Sequence, residues 1–231
     1  MALILNIDTA TEEASVCLSR DTEILGLEKS GELKNHAAFL QPAIQRLLTG
    51  QQLEPEALDA VAVTAGPGSY TGLRVGLSSA KGLCYALRKP IVLVPTLEVM
   101  AVAAIQGNPE LTDQKDCRFC PMIDARRMEV FTAVYDRNLT LLLPPAALIL
   151  DENSFATFFG QGPLIFSGSG AGKFQKILTR PDAVFSTIRQ DATHLAIRSL
   201  GYYREKRFPD LAYCEPYYLK EFYTPPPAGT K

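Results

Sequence analysis

The stretch Ile-Asp-Thr-Ala-Thr-Glu-Glu-Ala-Ser-Val-Cys-Leu at residues 7–18 decides the fold, because its outline recurs as Ile-Asp-Ala-Arg-Arg-Met-Glu-Val-Phe-Thr-Ala-Val at residues 123–134. In each copy a strand ends in Ile-Asp, a short turn follows, and an alternating strand runs back beside the first. The copies start about half a chain length apart. The sequence therefore predicts two versions of one structural unit.

The rest of each half follows the same order. Further strands are predicted at residues 22–28 and 140–143, helices at 35–49 and 151–159, and strands at 58–64 and 164–167. Each of the last two strands runs into a glycine-rich turn, with Gly66 and Gly68 in the first half and Gly168, Gly170 and Gly172 in the second. Three antiparallel strands followed by alternating helix and strand indicate a mixed sheet with helices on its faces.

Duplication of this order predicts an α/β protein with the actin-like (ASKHA, ribonuclease-H-like) fold, built from two βββαβα-type subdomains. We expect the first subdomain at residues 1–110 and the second at 111–210. Residues 211–231 are expected to form an extended segment and a flexible tail, because the final Thr-Pro-Pro-Pro-Ala-Gly-Thr-Lys offers no core residues.

The first glycine-rich turn reads Ala-Gly-Pro-Gly-Ser-Tyr-Thr-Gly-Leu-Arg at residues 65–74 and opens a helix predicted at 71–87. Such a turn presents backbone N–H groups at the positive end of a helix, which suits an anion or a closely packed partner. It lacks the Gly-Lys-Ser/Thr of a Walker loop and the Gly-x-Gly-x-x-Gly of a dinucleotide site. The turn alone therefore does not separate a phosphate site from a packing contact.

The helix behind this turn carries a smooth face. Gly72, Gly76, Ala80 and Cys84 recur every four residues, so little side-chain bulk lies along that face. Two interior glycines cost roughly 0.8 to 1.0 kcal/mol each relative to alanine, which indicates that another backbone approaches closely. The face can pack against the chain's own sheet or against another molecule, and the spacing does not decide between the two.

Composition is that of a folded domain without a strong electrostatic field. The 231 residues are 47% hydrophobic and 21% charged, with a net charge of -2, which predicts weak intrinsic affinity for nucleic acid. The first residues lack a cationic leader, and the apolar stretch at 139–150 is too short to span a bilayer and contains two prolines. We therefore expect a cytoplasmic protein with no membrane contact.

The cysteines and histidines form no recognisable metal motif. Five cysteines fit reduced, buried thiols better than a disulfide framework. Cys117 and Cys120 form a lone Cys-x-x-Cys that enters a strand, so a metal or redox role is not favoured. His36 and His194 are far apart in sequence. We expect no bound metal.

The chain resembles the TsaB (YeaZ) family, bacterial proteins that make threonylcarbamoyladenosine in tRNA. The residues that carry the resemblance run from one end of the chain to the other: Ile7 to Thr11, His36 with Pro42, Ala65 to Arg74, Ile123 to Arg126 with Glu129 and Val130, and Glu215 to Leu219.

The resemblance implies a partner more than a catalyst. In the related catalytic subunit, TsaD, a His-x-x-x-His motif binds a metal just after the strand that follows the glycine-rich helix. The corresponding positions here are Thr96 and Met100, which cannot replace imidazole. The second phosphate turn of the fold, normally Asp-Gly-Gly, begins here at Asp124 and continues as Ala-Arg-Arg, which indicates a filled or reassigned site.

The family resemblance implies a non-catalytic scaffold subunit that binds a TsaD-like catalytic subunit, works with a TsaE-like ATPase, forms a homodimer when alone and meets tRNA indirectly through the complex. The two N-terminal helices are expected to form the partner surface, through His36, Phe39, Leu40, Ala43, Leu47, Gly72, Gly76, Ala80 and Leu83.

We also expect a vestigial nucleotide site that binds ATP or ADP at best weakly, or only within the complex. Its candidate residues are Asp8, Thr9, Thr11, Gly66, Gly68, Ser69, Asp124, Gly168 and Gly170.

Two other functions stay open at this point. An actin-like ATP-dependent small-molecule kinase or acyltransferase would use Asp8 and Asp124 to hold magnesium and nucleotide. A metallo-glycoprotease would need a metal or a nucleophile triad, which Thr96 and Met100 do not favour.

Overall fold

The first half of the chain forms a five-stranded mixed sheet. A computed structural model describes residues 1–31 and 35–220, and the tail predicted beyond residue 220 lies outside that part. The strands are β1 (Leu3–Asp8), β2 (Ser15–Arg20), β3 (Glu23–Lys29), β4 (Ala60–Thr64) and β5 (Ile91–Val94). Their spatial order is β3-β2-β1-β4-β5, with β1 antiparallel to β2 and parallel to β4.

The second half repeats this sheet. Its strands are β6 (Arg118–Asp124), β7 (Glu129–Asp136), β8 (Leu141–Ile149), β9 (Leu164–Ser167) and β10 (Ala183–Ser186). The order β10-β9-β6-β7-β8 is the first sheet's order read from the other edge. Ile7 pairs with Val16 in the first sheet and Ile123 with Phe131 in the second, so the duplication predicted from the two Ile-Asp stretches is confirmed.

Helices cover both sheets, and two of them cross between the halves. The helices are α1 (His36–Gly50), α2 (Tyr70–Leu87), α3 (Thr96–Gly107), α4 (Pro109–Thr112), α5 (Ala171–Gln175) and α6 (Ala192–Arg204), with 3₁₀ turns at Pro55–Ala57 and Ala156–Phe158. α1 and α2 pack on one face of the first sheet, and α6, from the second half, covers the other face. α3, from the first half, packs on the second sheet.

Side-chain contacts hold the two crossing helices together. The buried Glu98 of α3 accepts hydrogen bonds from Arg198 Nε at 2.5 Å and from the Tyr202 hydroxyl at 2.7 Å, both on α6. The sheets are thus joined through α3 and α6 as well as along the chain. The bounds expected for the two subdomains stay a prediction.

The prediction of a helix at residues 151–159 is wrong. The only helical structure there is a single 3₁₀ turn at Ala156–Phe158. Asp151 Oδ1 accepts hydrogen bonds from the Asn153 backbone at 3.0 Å and from Ser154 Oγ at 2.9 Å, so local side-chain bonds replace the helical ones. Phe155 then adopts a left-handed conformation with φ of 64° and packs against Phe166.

The apolar stretch predicted as a short strand extends to Ile149 as the edge strand β8, where Pro144 and Pro145 are tolerated. Within residues 1–31 and 35–220, no helix combines the length and apolar character that crossing a membrane requires.

Candidate functional site

The first glycine-rich turn uses its backbone polar groups inside the chain. The Ser69 N–H donates to the Ala10 carbonyl at 2.7 Å, and the Gly66 N–H donates to Thr96 Oγ1 at 3.1 Å. Ser69 Oγ caps α2 by accepting from the Gly72 N–H at 3.3 Å. Three of the N–H groups at this turn are therefore engaged by the chain itself.

The glycines of this turn and of α2 permit close backbone contacts with the β1–β2 turn. A Cβ atom at Gly68 would lie 2.3 Å from the Ala10 carbonyl oxygen, and one at Gly72 would lie 2.1 Å from that of Thr9. A Cβ at Gly76 would lie 2.2 Å from Thr9 Oγ1. The smooth face of α2 thus packs on the chain's own first turn.

This packing corrects the expected partner surface. Seven of its nine residues are buried inside the chain, where they cannot contact a partner while the chain is folded: His36, Leu40, Ala43, Leu47, Gly72, Gly76 and Ala80. Phe39 and Leu83 remain partly exposed beside the first core cluster. Spacing alone could not distinguish the two faces, because both carry small residues.

The outer side of α2 is a different row of residues. Tyr70, Arg74, Ser78, Gly82 and Ala86, four residues apart, are all exposed. A Cβ at Gly82 would meet nothing within 4 Å, so no intramolecular contact explains that glycine. The exposed residues of the adjacent α1 are Ala37, Ala38, Gln41, Pro42, Gln45, Arg46, Thr49 and Gly50.

Asp8, the leading candidate for a magnesium ligand, lies in the interior. Its Oδ1 accepts from the Ala10 N–H at 3.1 Å and from Thr64 Oγ1 at 3.0 Å. Burial raises the pKa of Asp8, and these two hydrogen bonds only partly oppose that rise. Asp8 is only 1% exposed, so its carboxyl offers little surface to a cation.

The other candidates in the first turn also have partners within the chain. Thr9 Oγ1 donates to the Gly72 carbonyl at 2.7 Å. The Thr11 carbonyl accepts from His36 Nε2 at 2.9 Å, and Thr11 Oγ1 accepts from Gln190 Nε2 at 3.2 Å. The predicted residues of the first two turns do lie together in the structure: Asp8, Thr9, Thr11, Gly66, Gly68 and Ser69. They contact one another directly, and we call this packed contact between the β1–β2 turn and α2 the closed joint.

The second turn is held by a lysine that sequence reasoning missed. Lys173 Nζ donates to Asp124 Oδ1 at 2.8 Å, to the Arg127 carbonyl at 2.8 Å and to the Glu129 carbonyl at 2.9 Å. Burial raises the pKa of Asp124, but Lys173 and the Arg126 N–H lower it more, so it lies below its ordinary value. The available signal was the Gly-x-Gly-x-Gly-Lys run at residues 168–173.

Gly168 and Gly170 approach the end of β6. Gly168 has a φ of +92°, and a Cβ there would lie 2.5 Å from the Met122 carbonyl oxygen. The Gly170 N–H donates to that same oxygen at 3.0 Å, and Ser169 Oγ accepts from the Asp124 N–H at 3.0 Å. The glycines thus close the second turn upon itself, with Lys173 across it.

Thr96 and Met100, the two positions singled out by the family resemblance, are committed to packing. Thr96 is buried and bonded to Gly66, and the end of the Met100 side chain lies against Gly168. A buried threonine and a packed methionine do not fit a metal site. No cluster of three or more His, Cys, Asp or Glu side chains suited to a metal occurs in the part of the chain that the structure describes.

Cys117 and Cys120 cannot act as a pair. Cys117 packs in the cluster between α3 and the second sheet, whereas Cys120 packs among the phenylalanines on the opposite face. The redox or metal interpretation of this Cys-x-x-Cys therefore has no geometric support.

The segment at residues 208–220, here called the C-terminal strap, runs along α2 and past its N-terminal end. The Tyr217 N–H donates to the Ala65 carbonyl at 2.7 Å, and Lys81 Nζ donates to the Ala212 and Cys214 carbonyls at 3.0 and 3.2 Å. At its described end, Lys220 Nζ lies 2.9 Å from a carboxylate oxygen of Glu129 in the second half. Sequence reasoning predicted an extended segment but none of these contacts.

Comparisons with known proteins agree with this architecture. The family model described as "TsaD: tRNA N6-adenosine threonylcarbamoyltransferase" matches residues 32–221. The protein described as "tRNA threonylcarbamoyladenosine biosynthesis protein TsaB" of Bacillus subtilis is 34% identical over 60% of this chain and 57% of its own length. That of Escherichia coli is 36% identical over 58% of this chain and 55% of its own length. The chain thus matches just over half the length of these relatives.

Solved structures extend the likeness to most of the chain. YeaZ from Pseudomonas aeruginosa superposes with a TM-score of 0.81 at 26% identity, covering 95% of this chain and 100% of that one. Component A of the (R)-2-hydroxyglutaryl-CoA dehydratase of Acidaminococcus fermentans has a TM-score of 0.51 at 9% identity, which shows likeness of fold alone. The expected duplicated actin-like α/β fold is confirmed. The chain belongs to the family of the tRNA N6-adenosine threonylcarbamoyltransferase model and, within it, to the TsaB (YeaZ) proteins.

Proposed function

We propose that this chain is a non-catalytic scaffold subunit that binds a TsaD-like catalytic subunit in the biosynthesis of threonylcarbamoyladenosine next to the anticodon of tRNA. One observation carries the proposal: groups of the chain itself occupy both turns that would hold a nucleotide in an active actin-like enzyme. The Ala10 carbonyl lies against Gly68 and Ser69, and the Lys173 ammonium fills the turn at Asp124. This role implies a cytoplasmic location.

The exposed faces of α1 and α2 are the proposed partner surface. The row formed by Tyr70, Arg74, Ser78, Gly82 and Ala86 on α2 has little bulk in its middle, so another helix can approach closely. Because a two-fold interface must match its own image, a homodimer formed through this surface would compete with the heteromeric complex. A TsaE-like ATPase and tRNA would then meet this chain only within the complex.

A weak nucleotide site is part of this proposal, and an ATP-dependent small-molecule kinase or acyltransferase is the alternative function. That enzyme would need Asp8 and Asp124 to hold magnesium. Asp8 is buried with a raised pKa, and Asp124 is paired with Lys173. Calorimetry of the isolated chain with magnesium and ATP is expected to show no binding tighter than about 0.1 mM, whereas micromolar affinity would favour the enzyme.

Reconstitution tests the scaffold role. The purified chain, its catalytic relative and an unmodified tRNA substrate would be combined with the threonylcarbamoyl donor, and the modified adenosine measured. We expect modification with both proteins and none with this chain alone. Equal activity of the relative without this chain, or activity of this chain by itself, would contradict the proposal.

A further inference from the structure

A cluster of one arginine and two tyrosines stands at the N-terminal end of the exposed α2 row. The Arg74 guanidinium carbon lies 4.1 Å from the centre of the Tyr70 ring, and Arg74 Nε donates to the Tyr218 hydroxyl at 3.2 Å. The two tyrosine rings are 5.5 Å apart. Tyr70 and Arg74 belong to α2, whereas Tyr218 comes from the C-terminal strap.

The strap holds this cluster in place. Tyr217, next to Tyr218, is bonded to the Ala65 carbonyl, and Lys220 is paired with Glu129. Lys81 fixes the strap further back through two carbonyl groups. An arginine stacked on one ring and bonded to another has already lost much of its rotamer freedom, so binding costs less entropy.

The cluster nevertheless faces solvent. Tyr218 is 39% exposed, Tyr70 is 37% exposed, and Arg74 is exposed. No described carboxylate lies within ion-pair distance of Arg74, although Glu215 acts on its charge from further away, and the hydrogen-bond acceptor of its Nε is the Tyr218 hydroxyl. A positive charge without a contacting carboxylate, at the positive end of an 18-residue helix, favours a negatively charged group from outside.

We propose that Arg74 and Tyr218, stacked with Tyr70, form a preformed anchor for a carboxylate side chain on the helix of the catalytic relative that lies along the exposed α2 row. The inference rests on the proposed function and adds Tyr218, from the C-terminal strap, to the partner surface. Continuity supports this occupant, because Arg74 is followed at four-residue spacing by Ser78 and Gly82 of the same row. Tyrosine and arginine are also the residues that most often dominate binding energy in interfaces.

The anchor is tested by the affinity of the catalytic relative for variants of the full chain. Arg74→Glu and Tyr218→Ala are expected to raise the dissociation constant at least about tenfold. The loss for Arg74→Glu should shrink at high salt, because a charge contact is screened. Tyr218→Phe keeps the ring and loses only the bond to Arg74, so a smaller loss is expected.

Two further variants separate this inference from the proposed function. Tyr213→Ala removes an 83% exposed tyrosine from the same strap and should leave the affinity unchanged. Gly82→Leu adds bulk to the middle of the α2 row and should abolish binding along that row. Thermal unfolding of each variant shows whether the strap and the fold are retained.

Each outcome bears on one claim. The anchor would be overturned if Arg74→Glu and Tyr218→Ala bound the relative with wild-type affinity while Gly82→Leu lost binding. The proposal that α2 forms the partner surface would still hold. Wild-type binding by Gly82→Leu would overturn the α2 surface and, with it, the anchor on that row. A wild-type chain that does not bind the relative would overturn both.

Discussion

Thr9 Oγ1 donates a hydrogen bond to the Gly72 carbonyl across 2.7 Å, and this contact locks the β1–β2 turn onto the smooth face of α2. The sequence predicts a vestigial nucleotide site at the β1–β2 turn. In the structure, that turn and α2 contact each other directly, because the glycines at 68, 72 and 76 leave no side-chain bulk between them. The glycines therefore stabilise a closed joint, and the exposed side of α2 is left for other contacts.

Gly76→Ala should destabilise the fold, whereas Gly82→Ala should not. A Cβ at Gly76 would stand 2.2 Å from Thr9 Oγ1, so the buried turn must shift, and we expect the free energy of unfolding to fall by about 1–3 kcal/mol. Gly82 has open space, so alanine there should raise that free energy by up to about 1 kcal/mol. Urea denaturation measures both, and equal stabilisation by the two alanines would contradict the closed joint.

Asp8→Asn should change how stability depends on pH. The folded pKa of Asp8 is raised above its ordinary value of 3.8, mainly by burial. The folded chain therefore holds this proton more tightly than the unfolded chain, and the stability it contributes at acid pH is lost as pH rises through the folded pKa. Asparagine can accept the same bonds from Ala10 and Thr64, so the variant should match wild type near pH 4 and be more stable at pH 7. A variant less stable at pH 7 than at pH 4, relative to wild type, would show that the ionised carboxylate is the favoured form.

Lys173→Met should destabilise the second turn. The ammonium is bonded to three oxygens, and its side chain is only 14% exposed, so we expect a loss of about 2 kcal/mol in the free energy of unfolding. Lys220→Met is the matched control, because that lysine also pairs at this turn but is 60% exposed, and its loss should not exceed about 1 kcal/mol. A Lys173→Met variant as stable as the control would show that the turn does not depend on this ammonium.

The five thiols should be unreactive in the folded chain. All five are buried, and burial raises the pKa of Cys17 to about 12 and those of Cys84 and Cys117 to about 11. We expect Ellman's reagent at pH 8 to label none of them rapidly in the native state and all five after unfolding. A Cys117–Cys120 disulfide after peroxide treatment of the native chain would contradict their placement on opposite faces.

Most strands could be predicted from the sequence because strands carry a period of two that the repeat displays twice, but β10 was not predicted. The stretch at residues 151–159 could not, because the bonds of Asp151 to Asn153 and Ser154 compete locally with a helix. The apolar residues at those positions are compatible with a helix or with an irregular segment. Phe155 and Phe159 pack into the core from an irregular backbone.

The sequence predicted which residues lie at the site better than it predicted what those residues contact. The glycine spacing on α2 indicated a close approach, but only the folded chain shows that Thr9 is the neighbour. Lys173 contacts Asp124 in the second turn, and Tyr218 contacts Arg74 on α2. Both partners are far away in sequence, and no local pattern encodes such pairings.

The scaffold account is tested most directly by capture of the catalytic relative with Gly82→Leu and its matched control, Gly201→Leu. Both glycines are helical with open space around them, but Gly201 lies on α6, away from the proposed surface. Immobilised variants with wild-type unfolding temperatures would be compared in a pull-down and by size-exclusion chromatography. We expect Gly82→Leu to lose both the heteromeric complex and the homodimer while Gly201→Leu retains them. A folded Gly82→Leu chain that captures the relative at wild-type strength would contradict the claim that this chain acts through the exposed face of α2.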